Sequence, residues 1–223
     1  MSKLRCSITT SLDGYVAGPN QSADNPLGEG GIPLHDWAFP TKTFRALHGD
    51  ASGGETGINN DVLREAFENV GATIMGRNMF GPVRGAWGEN PWQGWWGDDP
   101  PFHHAVFVLT HHAREPLPMR GGTTFHFVTD GIESALAQAR KAARGKDVTL
   151  AGGATVIQQY LAAGLLDELE IHVVPLLLGS GERLLNHFDA RKVKLNPIRS
   201  IAGPGVTHLK YRVATVLECS NSL

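Results

Sequence analysis

The sequence has 223 residues, of which 41% are hydrophobic and 19% are charged, and these values predict one globular domain over residues 1–223. The formal net charge of −2 argues against binding to nucleic acid or to an anionic membrane, so we expect a small-molecule partner. Cys6 and Cys219 have no metal-ligand spacing, and no apolar run reaches the roughly 20 residues of a membrane span, so we expect a cytoplasmic protein.

The N-terminal quarter combines one short strand with a long irregular segment. Residues 4–10 form the first predicted strand, and a turn at residues 11–15 follows it. Residues 19–60 are rich in glycine and proline and lack hydrophobic periodicity, which is typical of a lid or binding loop. Because this segment also contains Trp37 and two phenylalanines, we expect a partly ordered flap rather than a disordered one.

From Asp61 onwards, helices and strands alternate. A helix is predicted to begin at Asp61 and to be capped by Gly71. Apolar runs predict strands at residues 72–75, 105–109, 123–128, 148–151 and 169–174, and amphipathic patterns predict helices at residues 132–143 and 154–163. This alternation predicts right-handed crossovers, and therefore an α/β fold with a mostly parallel central sheet flanked by helices.

In the C-terminal region the helical patterns end, and only strands are predicted. Two strand-like runs, residues 192–201 and 206–217, are joined through Gly203, Pro204 and Gly205. A glycine- and proline-rich turn between two such runs predicts an antiparallel hairpin.

Two glycines stand where a predicted strand meets a predicted helix. Gly152 and Gly153 follow the strand at residues 148–151 and precede Ala154 and Thr155. Because they lack Cβ atoms, a phosphate could approach the backbone amides and the positive end of the helix dipole. The pair could equally serve only to pack strand against helix, and it does not form the G-x-G-x-x-G fingerprint of an ordinary dinucleotide-binding domain.

Polar residues follow two further predicted strands. Gly76, Arg77 and Asn78 follow one of them, and Thr110 and His111 follow the other. Open α/β sheets bind ligands at the carboxyl ends of their strands, where a guanidinium could fork onto a phosphate. The arginine could instead pair with a surface carboxylate. Adjacent histidines at this strand end would point in different directions, so no metal site is predicted.

Few other residues are candidates for chemistry. Among the carboxylates, only Asp13 in the first loop and Asp36 in the flap are expected near a substrate, although a lone Asp in a turn usually caps that turn. His103, His104 and the four tryptophans of residues 76–101 could stack on a planar ligand or could instead attach the loop to the core. No Ser-His-Asp, Cys-His or G-x-S-x-G pattern supports hydrolysis.

Several of these segments occur in the order of a known family. Residues 164–169 and 175–185, together with Gly152-Gly153, residues 11–17 and residues 75–77, resemble the reductase domain of the bifunctional riboflavin-biosynthesis deaminase/reductase. The resemblance implies the three-layer fold of dihydrofolate reductase. The sequence is also similar to stand-alone members without the zinc deaminase half, since it contains no H-x-E…P-C-x-x-C signature.

The resemblance implies that NADPH lies across the carboxyl ends of the strands. Its pyrophosphate would lie on the helix start formed by Gly152, Gly153, Ala154 and Thr155. Its adenosine and 2′-phosphate would be held by Gly76, Arg77 and Asn78, with Thr110 and His111 beside the ribose. Asp13 would lie in the loop that faces the nicotinamide and the substrate.

The resemblance also limits the choice of substrate. Only Asp36 could replace the acidic residue that grips the pteridine in dihydrofolate reductases, and only Lys42 and Arg45 could bind a ribosyl phosphate. We therefore expect a reductase of a pterin-like or aminopyrimidine substrate. The alternative is a nucleotide-binding protein of the same fold without efficient reductase activity. The hairpin of this family often contributes to a homodimer, which is expected here too.

Overall fold

The computed structural model describes residues 2–82 and 85–215. Its strands are, in chain order, β1 (Leu4–Ser11), β2 (Tyr15–Ala17), β3 (Val70–Gly76), β4 (Ala105–Leu109), β5 (Leu117–Pro118), β6 (Thr124–Val128), β7 (Asp147–Gly152), β8 (Glu168–Val174), β9 (Glu182–Arg183), β10 (Val193–Gly203) and β11 (Val206–Thr215). Its α-helices are α1 (Lys42–Leu47), α2 (Ile58–Phe67), α3 (Arg77–Phe80), α4 (Ile132–Ala143) and α5 (Ala154–Ala162). Short 3-10 helices occur at Ile32–His35, Arg120–Gly122 and Ala190–Lys192. Within the described part of the chain, no helix has the length and apolarity to cross a membrane.

A nine-stranded sheet of order β10-β11-β8-β1-β7-β3-β4-β6-β5 forms the centre of the fold. The six strands from β8 to β6 in this order are parallel. Helix α4 returns the chain across the sheet from β6 to β7, and α5 returns it from β7 to β8. Strands β10 and β11 form an antiparallel hairpin that extends the sheet beside β8. The predicted α/β class, with its mostly parallel sheet and C-terminal hairpin, is confirmed. Residues 216 and 217 of the predicted last strand lie outside the described residues.

The main core lies between the sheet and helices α4 and α5. On α4, Ala135, Leu136 and Ala139 are buried on one face, and on α5 Ile157 and Tyr160 are fully buried. A side chain of this size contributes about 1.5–3 kcal/mol when it is buried. The Tyr160 hydroxyl donates a hydrogen bond of 2.7 Å to the carbonyl of Ile132, which joins the two helices at the edge of the core.

The structure corrects the predicted limits of the helix before β3. Helix α2 begins at Ile58 rather than at Asp61, and it ends at Phe67. Gly71 is not its cap: Asn69 has the left-handed backbone conformation, with φ of 58°, and Gly71 lies in β3. Gly71 is required there for a different reason, since a Cβ at this position would lie 2.6 Å from the carbonyl oxygen of Ala143 at the end of α4.

The flap, residues 19–60, is docked against one side of the sheet. Trp37 is only 6% exposed, and its indole Nε1 donates a hydrogen bond of 3.1 Å to the Thr9 hydroxyl of β1. The indole ring also packs on His172 of β8 and His208 of β11, with ring centroids 4.7 and 5.0 Å away. The side chain of Trp37 thus fixes the flap to three strands. The flap sequence has no periodicity from which this contact could be predicted.

A chain of hydrogen bonds beneath the flap links His172 and His208. The Asn59 amide nitrogen donates to the carbonyl of Pro204, so its Oδ1 is free to accept from His208 Nε2 at 3.1 Å. His208 Nδ1 must then accept from His172 Nδ1 at 2.8 Å, and His172 Nε2 accepts from the Ser7 hydroxyl at 2.8 Å. A proton added to His208 Nδ1 would set two N–H groups against each other.

We expect acid to destabilise the protein through this pair. Burial is the main cause that lowers the pKa of His172 to about 3 and that of His208 to about 4. The unfolded chain binds protons below pH 6.5, so the histidines' contribution to stability is complete above that pH and is lost as the pH falls towards their folded pKa values. The free energy of unfolding should fall by about 1.4 kcal/mol per pH unit for each histidine.

Urea denaturation between pH 7.5 and pH 5 measures this slope. The His208→Gln variant loses one titrating group, so below pH 6 its slope should be smaller than that of the wild-type protein by up to about 1.4 kcal/mol per pH unit, even if it is less stable throughout. An unchanged slope in the variant would contradict the prediction.

Candidate active site

A cleft of about 790 Å³ opens at the carboxyl ends of the parallel strands. Residues at the ends of five strands line it: Ile8 and Thr9 of β1, Gly76 at the end of β3, Leu109 of β4, Val128 of β6, and Ala151 and Gly152 of β7. This is the edge at which open α/β sheets bind ligands. Within the described ranges, no group of three or more His, Cys, Asp or Glu side chains is placed to hold a metal ion.

The start of α5 forms the middle of the cleft. Gly152 has φ of +127°, a conformation that residues with a Cβ rarely adopt, and its peptide bond to Gly153 is cis. Ala154 and Thr155 begin the helix and line the cleft. No side chain caps this helix start and its first turn carries no acidic residue, so its amides and the positive end of its dipole are available to an anion.

The start of α4 also reaches the cleft, through Gly131 and Ile132. It is a poorer site for an anion, because Glu133 lies in its first turn and Asp130 precedes it. Of these two helix starts, α5 therefore offers the better position for a phosphate.

Arg77 projects into the cleft in a fixed orientation. Its Nη1 donates to the Thr110 hydroxyl at 3.1 Å, and its Nη2 donates to the carbonyl of Gly85 at 3.2 Å. The guanidinium carbon lies 3.2 Å from the ring centroid of Trp87, whose Nε1 donates to the carbonyl of His112. Stacking and hydrogen bonding hold the charge at the cleft wall.

The structure brings the expected cofactor residues together around one cleft. All nine line it: Gly76, Arg77, Asn78, Thr110, His111, Gly152, Gly153, Ala154 and Thr155. Gly76 has a steric role as well, because a Cβ there would lie 2.7 Å from a methyl carbon of Val156 and would push α5 away from β3.

The opposite end of the cleft, here called the flap end, combines apolar and polar side chains. It is lined by the end of β1, by Val16 and Ala17 of β2, and by five flap residues: Gln21, Pro26, Leu27, His35 and His48. The Glu182 side of β9, which pairs with β2, also reaches it.

The two carboxylates expected near the substrate do not line this cleft. The Asp13 carboxylate accepts hydrogen bonds from the backbone amides of Leu178 and Gly179, at 3.1 and 2.7 Å, and from the Ser11 hydroxyl. The Ser11 hydrogen bond is the main cause that lowers the pKa of Asp13 to about 2. Asp13 therefore ties the first loop to the segment after β8.

Asp36 is exposed at the end of its 3-10 helix, and the neighbouring His35 lines the cleft instead. Sequence reasoning missed His35 because the flap has no periodicity from which to infer which side chain points inward. Neither Lys42 nor Arg45 lines the cleft, and the Arg45 guanidinium pairs with Asp50.

The tryptophans of the second irregular segment divide between the two expected roles. Trp87, Trp92 and Trp96 pack against a cluster that contains Phe80, which attaches this segment to the core. Trp95 and Trp96 also line the cleft and offer flat faces to a ligand.

The sequence also matches the model of a known family. The family model described as the RibD C-terminal domain matches residues 2–209 of the sequence. The chain belongs to this family. It is therefore an oxidoreductase of the riboflavin-pathway kind, and the resemblance inferred from the sequence motifs is confirmed. No curated protein is similar enough to count as a match.

Solved structures share the fold of this RibD C-terminal domain. A protein described as a riboflavin biosynthesis protein from Shewanella sp. PV-4 is 24% identical with a TM-score of 0.60, over 96% of this chain and 99% of the other. A pyrimidine reductase-like protein from Corynebacterium diphtheriae is 13% identical with a TM-score of 0.55, over 96% and 93%. The deaminase/reductase from Thermotoga maritima is 13% identical with a TM-score of 0.54, over 95% of this chain and 56% of the longer protein.

Proposed function

We propose that the protein is an NADPH-dependent reductase of a small pterin-like or aminopyrimidine substrate. The observation that carries the proposal is that one cleft is lined both by Arg77 and by the start of α5, which no side chain caps. A dinucleotide with an additional phosphate needs two separated anion sites, and the cleft offers a guanidinium for one and helix amides for the other.

The residues present fit this cofactor. The pyrophosphate would lie on Gly153, Ala154 and Thr155, where the amides have no partner inside the helix. The 2′-phosphate would lie against Arg77, and Thr110 and His111 would flank the ribose. When bound, NADPH would supply the hydride that, with one proton, saturates one double bond of the substrate.

The flap end would receive the nicotinamide and the substrate. Its apolar lining by Ile8, Val16 and Leu27 suits flat rings and excludes water from them. Asp13 would keep the first loop in place beside this end through its bonds to Leu178 and Gly179.

The similar structures support a pyrimidine as the substrate class. The Thermotoga maritima protein is described as a 5-amino-6-(5-phosphoribosylamino)uracil reductase, and the Corynebacterium diphtheriae protein as pyrimidine reductase-like. Both have the fold of this chain.

Calorimetric titration with NADPH and NADH, followed by NADPH oxidation in the presence of pterins and aminopyrimidines, tests the proposal. We expect tighter binding of NADPH and faster oxidation with at least one heterocycle. Binding without any acceleration by these heterocycles would favour the alternative, a nucleotide-binding protein of the same fold without efficient reductase activity. Failure to bind either dinucleotide would refute both.

We further propose that the protein forms a homodimer through its C-terminal hairpin. Strand β10 is the outer strand of the sheet, and its Ile198 is 47% exposed, so both its backbone edge and an apolar side chain are available to a second copy. Solution scattering at micromolar concentration should give twice the mass of one chain. The mass of a single chain would exclude this dimer.

A further inference from the structure

One polar group of the flap end has an unmet hydrogen-bonding requirement. His35 closes the short helix Ile32–His35, and its ring lines the cleft. Its Nδ1 is buried and has no hydrogen-bond partner among the described residues, while the ring stacks loosely on Phe39 at 6.1 Å. A buried polar atom without a partner is uncommon in a folded protein and calls for a functional explanation.

The unpaired Nδ1 determines what His35 offers to a ligand. A buried N–H without an acceptor costs about 1–3 kcal/mol, so the neutral ring favours the tautomer in which Nδ1 carries the lone pair. The proton then lies on Nε2, the other ring nitrogen. His35 therefore presents one uncharged N–H donor, which suits a carbonyl oxygen or a ring nitrogen of a ligand.

Burial keeps His35 neutral. Burial is the main cause that lowers its pKa, and Asp36 on the same helix raises it slightly. His172 of β8 is electrostatically coupled to it, and His48 lines the same end of the cleft. Burial also keeps His172 neutral and outweighs the effect of Asp36 on His35, so His35 is uncharged at neutral pH.

The described lining of the flap end does not suit a phosphate. None of the described residues that line it is a lysine or an arginine, and Arg45 is occupied by Asp50. The guanidinium of Arg183 lies 4.7 Å from the ring of Tyr15 and donates to its hydroxyl, while the neighbouring Glu182 brings a carboxylate to the cleft. Phosphates are bound by arginine, lysine or helix amides, and a carboxylate repels them.

We propose that His35 binds the substrate by donating a hydrogen bond from Nε2 to a carbonyl or ring nitrogen, and that this substrate is a heterocycle without a phosphate. The inference rests on the proposed function, because it assigns the flap end to the substrate of the reductase. It makes His35 the flap residue that orients the ring, and it makes the flap end, whose described lining has a carboxylate but no lysine or arginine, a filter against phosphorylated pyrimidines.

Calorimetry in the presence of NADP⁺, without turnover, tests the role of His35. The probe is 5-amino-6-ribosylaminouracil, and the variants are His35→Leu, which has no donor, and His35→Gln, whose amide restores one. We expect His35→Leu to weaken binding of the probe about tenfold and His35→Gln to remain within about threefold of the wild-type protein. Affinity for NADP⁺ should be unchanged in both.

Asp36→Asn is the matched control, because it changes the adjacent exposed residue and leaves the ring in place. It should bind the probe as the wild-type protein does. Equal binding by His35→Leu and the wild-type protein, or an equal loss in Asp36→Asn, would overturn the role of His35.

The second measurement compares the same probe with and without its 5′-phosphate. The form without phosphate should bind at least about tenfold more tightly, as expected for a charge buried without a partner. Tighter binding of the phosphorylated form would overturn the inference while leaving the reductase proposal intact. Tight binding of the unphosphorylated probe without NADPH oxidation would support the inference and count against the reductase proposal.

Discussion

Replacing Arg77 by alanine should weaken NADPH binding by about 1.5–3 kcal/mol, the range for a hydrogen bond to a charged group, and should leave NADH binding almost unchanged. The guanidinium is held at the cleft wall by Thr110 and Trp87, so little conformational entropy is lost when it binds a phosphate. NADH presents only a hydroxyl at the 2′ position. The variant should therefore lose cofactor selectivity, and calorimetry with both dinucleotides measures it.

Arg114→Ala provides the control for this change. Arg114 also lies near Trp87, at 4.9 Å, but it donates to the carbonyl of Trp92 and does not line the cleft. It should change neither affinity by more than about 0.5 kcal/mol, as is usual for a change away from the ligand. Because His111 also lines the cleft, the double variant with His111→Ala is measured as well. If Arg77→Ala and its double variant with His111→Ala lose equal affinity for NADPH and NADH, Arg77 does not bind the 2′-phosphate.

Replacing Thr155 by glutamate should weaken NADPH and NADH binding equally while leaving the fold stable. Thr155 is exposed in the first turn of α5, where a carboxylate would stand beside the proposed pyrophosphate. Repulsion between two charges about 4 Å apart amounts to about 1 kcal/mol in water and about 4 kcal/mol at a protein surface. The same carboxylate should stabilise the helix start by about 0.3–1 kcal/mol.

Thr155→Gln is the control, because glutamine has the size of glutamate without its charge. It should retain most of the affinity, and thermal unfolding of both variants should show no loss of stability. If glutamate leaves binding unchanged, or if glutamine weakens it as much, the start of α5 does not hold the pyrophosphate.

Both phosphate sites proposed here, at Arg77 and at the start of α5, lie in segments that the sequence already marked. Gly152-Gly153 and the Arg77 turn were identified because each follows an apolar strand, and parallel strands end at a common edge. Spacing alone left their roles open, since each motif could also be purely structural. The structure adds that Thr110 of the next strand contacts Arg77, a pairing of residues 33 positions apart.

Sequence reasoning reached least far in the first loop and the flap. Asp36 was the expected substrate contact, yet the cleft is lined by its neighbour His35, and the Asp13 carboxylate is occupied by the amides of Leu178 and Gly179. A turn residue has no periodic face, so a shift of one position exchanges an exposed side chain for a buried one. Only the packing of Trp37 onto β8 and β11 fixes that position.

The sequence by itself determined the order of the strands and helices, the parallel sheet and the glycine junction before α5, because apolar runs and chain-local turn residues encode them directly. Gly71 shows the limit of such local signals. Its sequence context predicts a helix cap, whereas in the fold it makes room for the end of α4. Tertiary structure alone decided the docking of the flap, the occupation of Asp13 and the inward position of His35. These depend on contacts between residues far apart in the chain, whose free energies arise only when the sheet has brought them together.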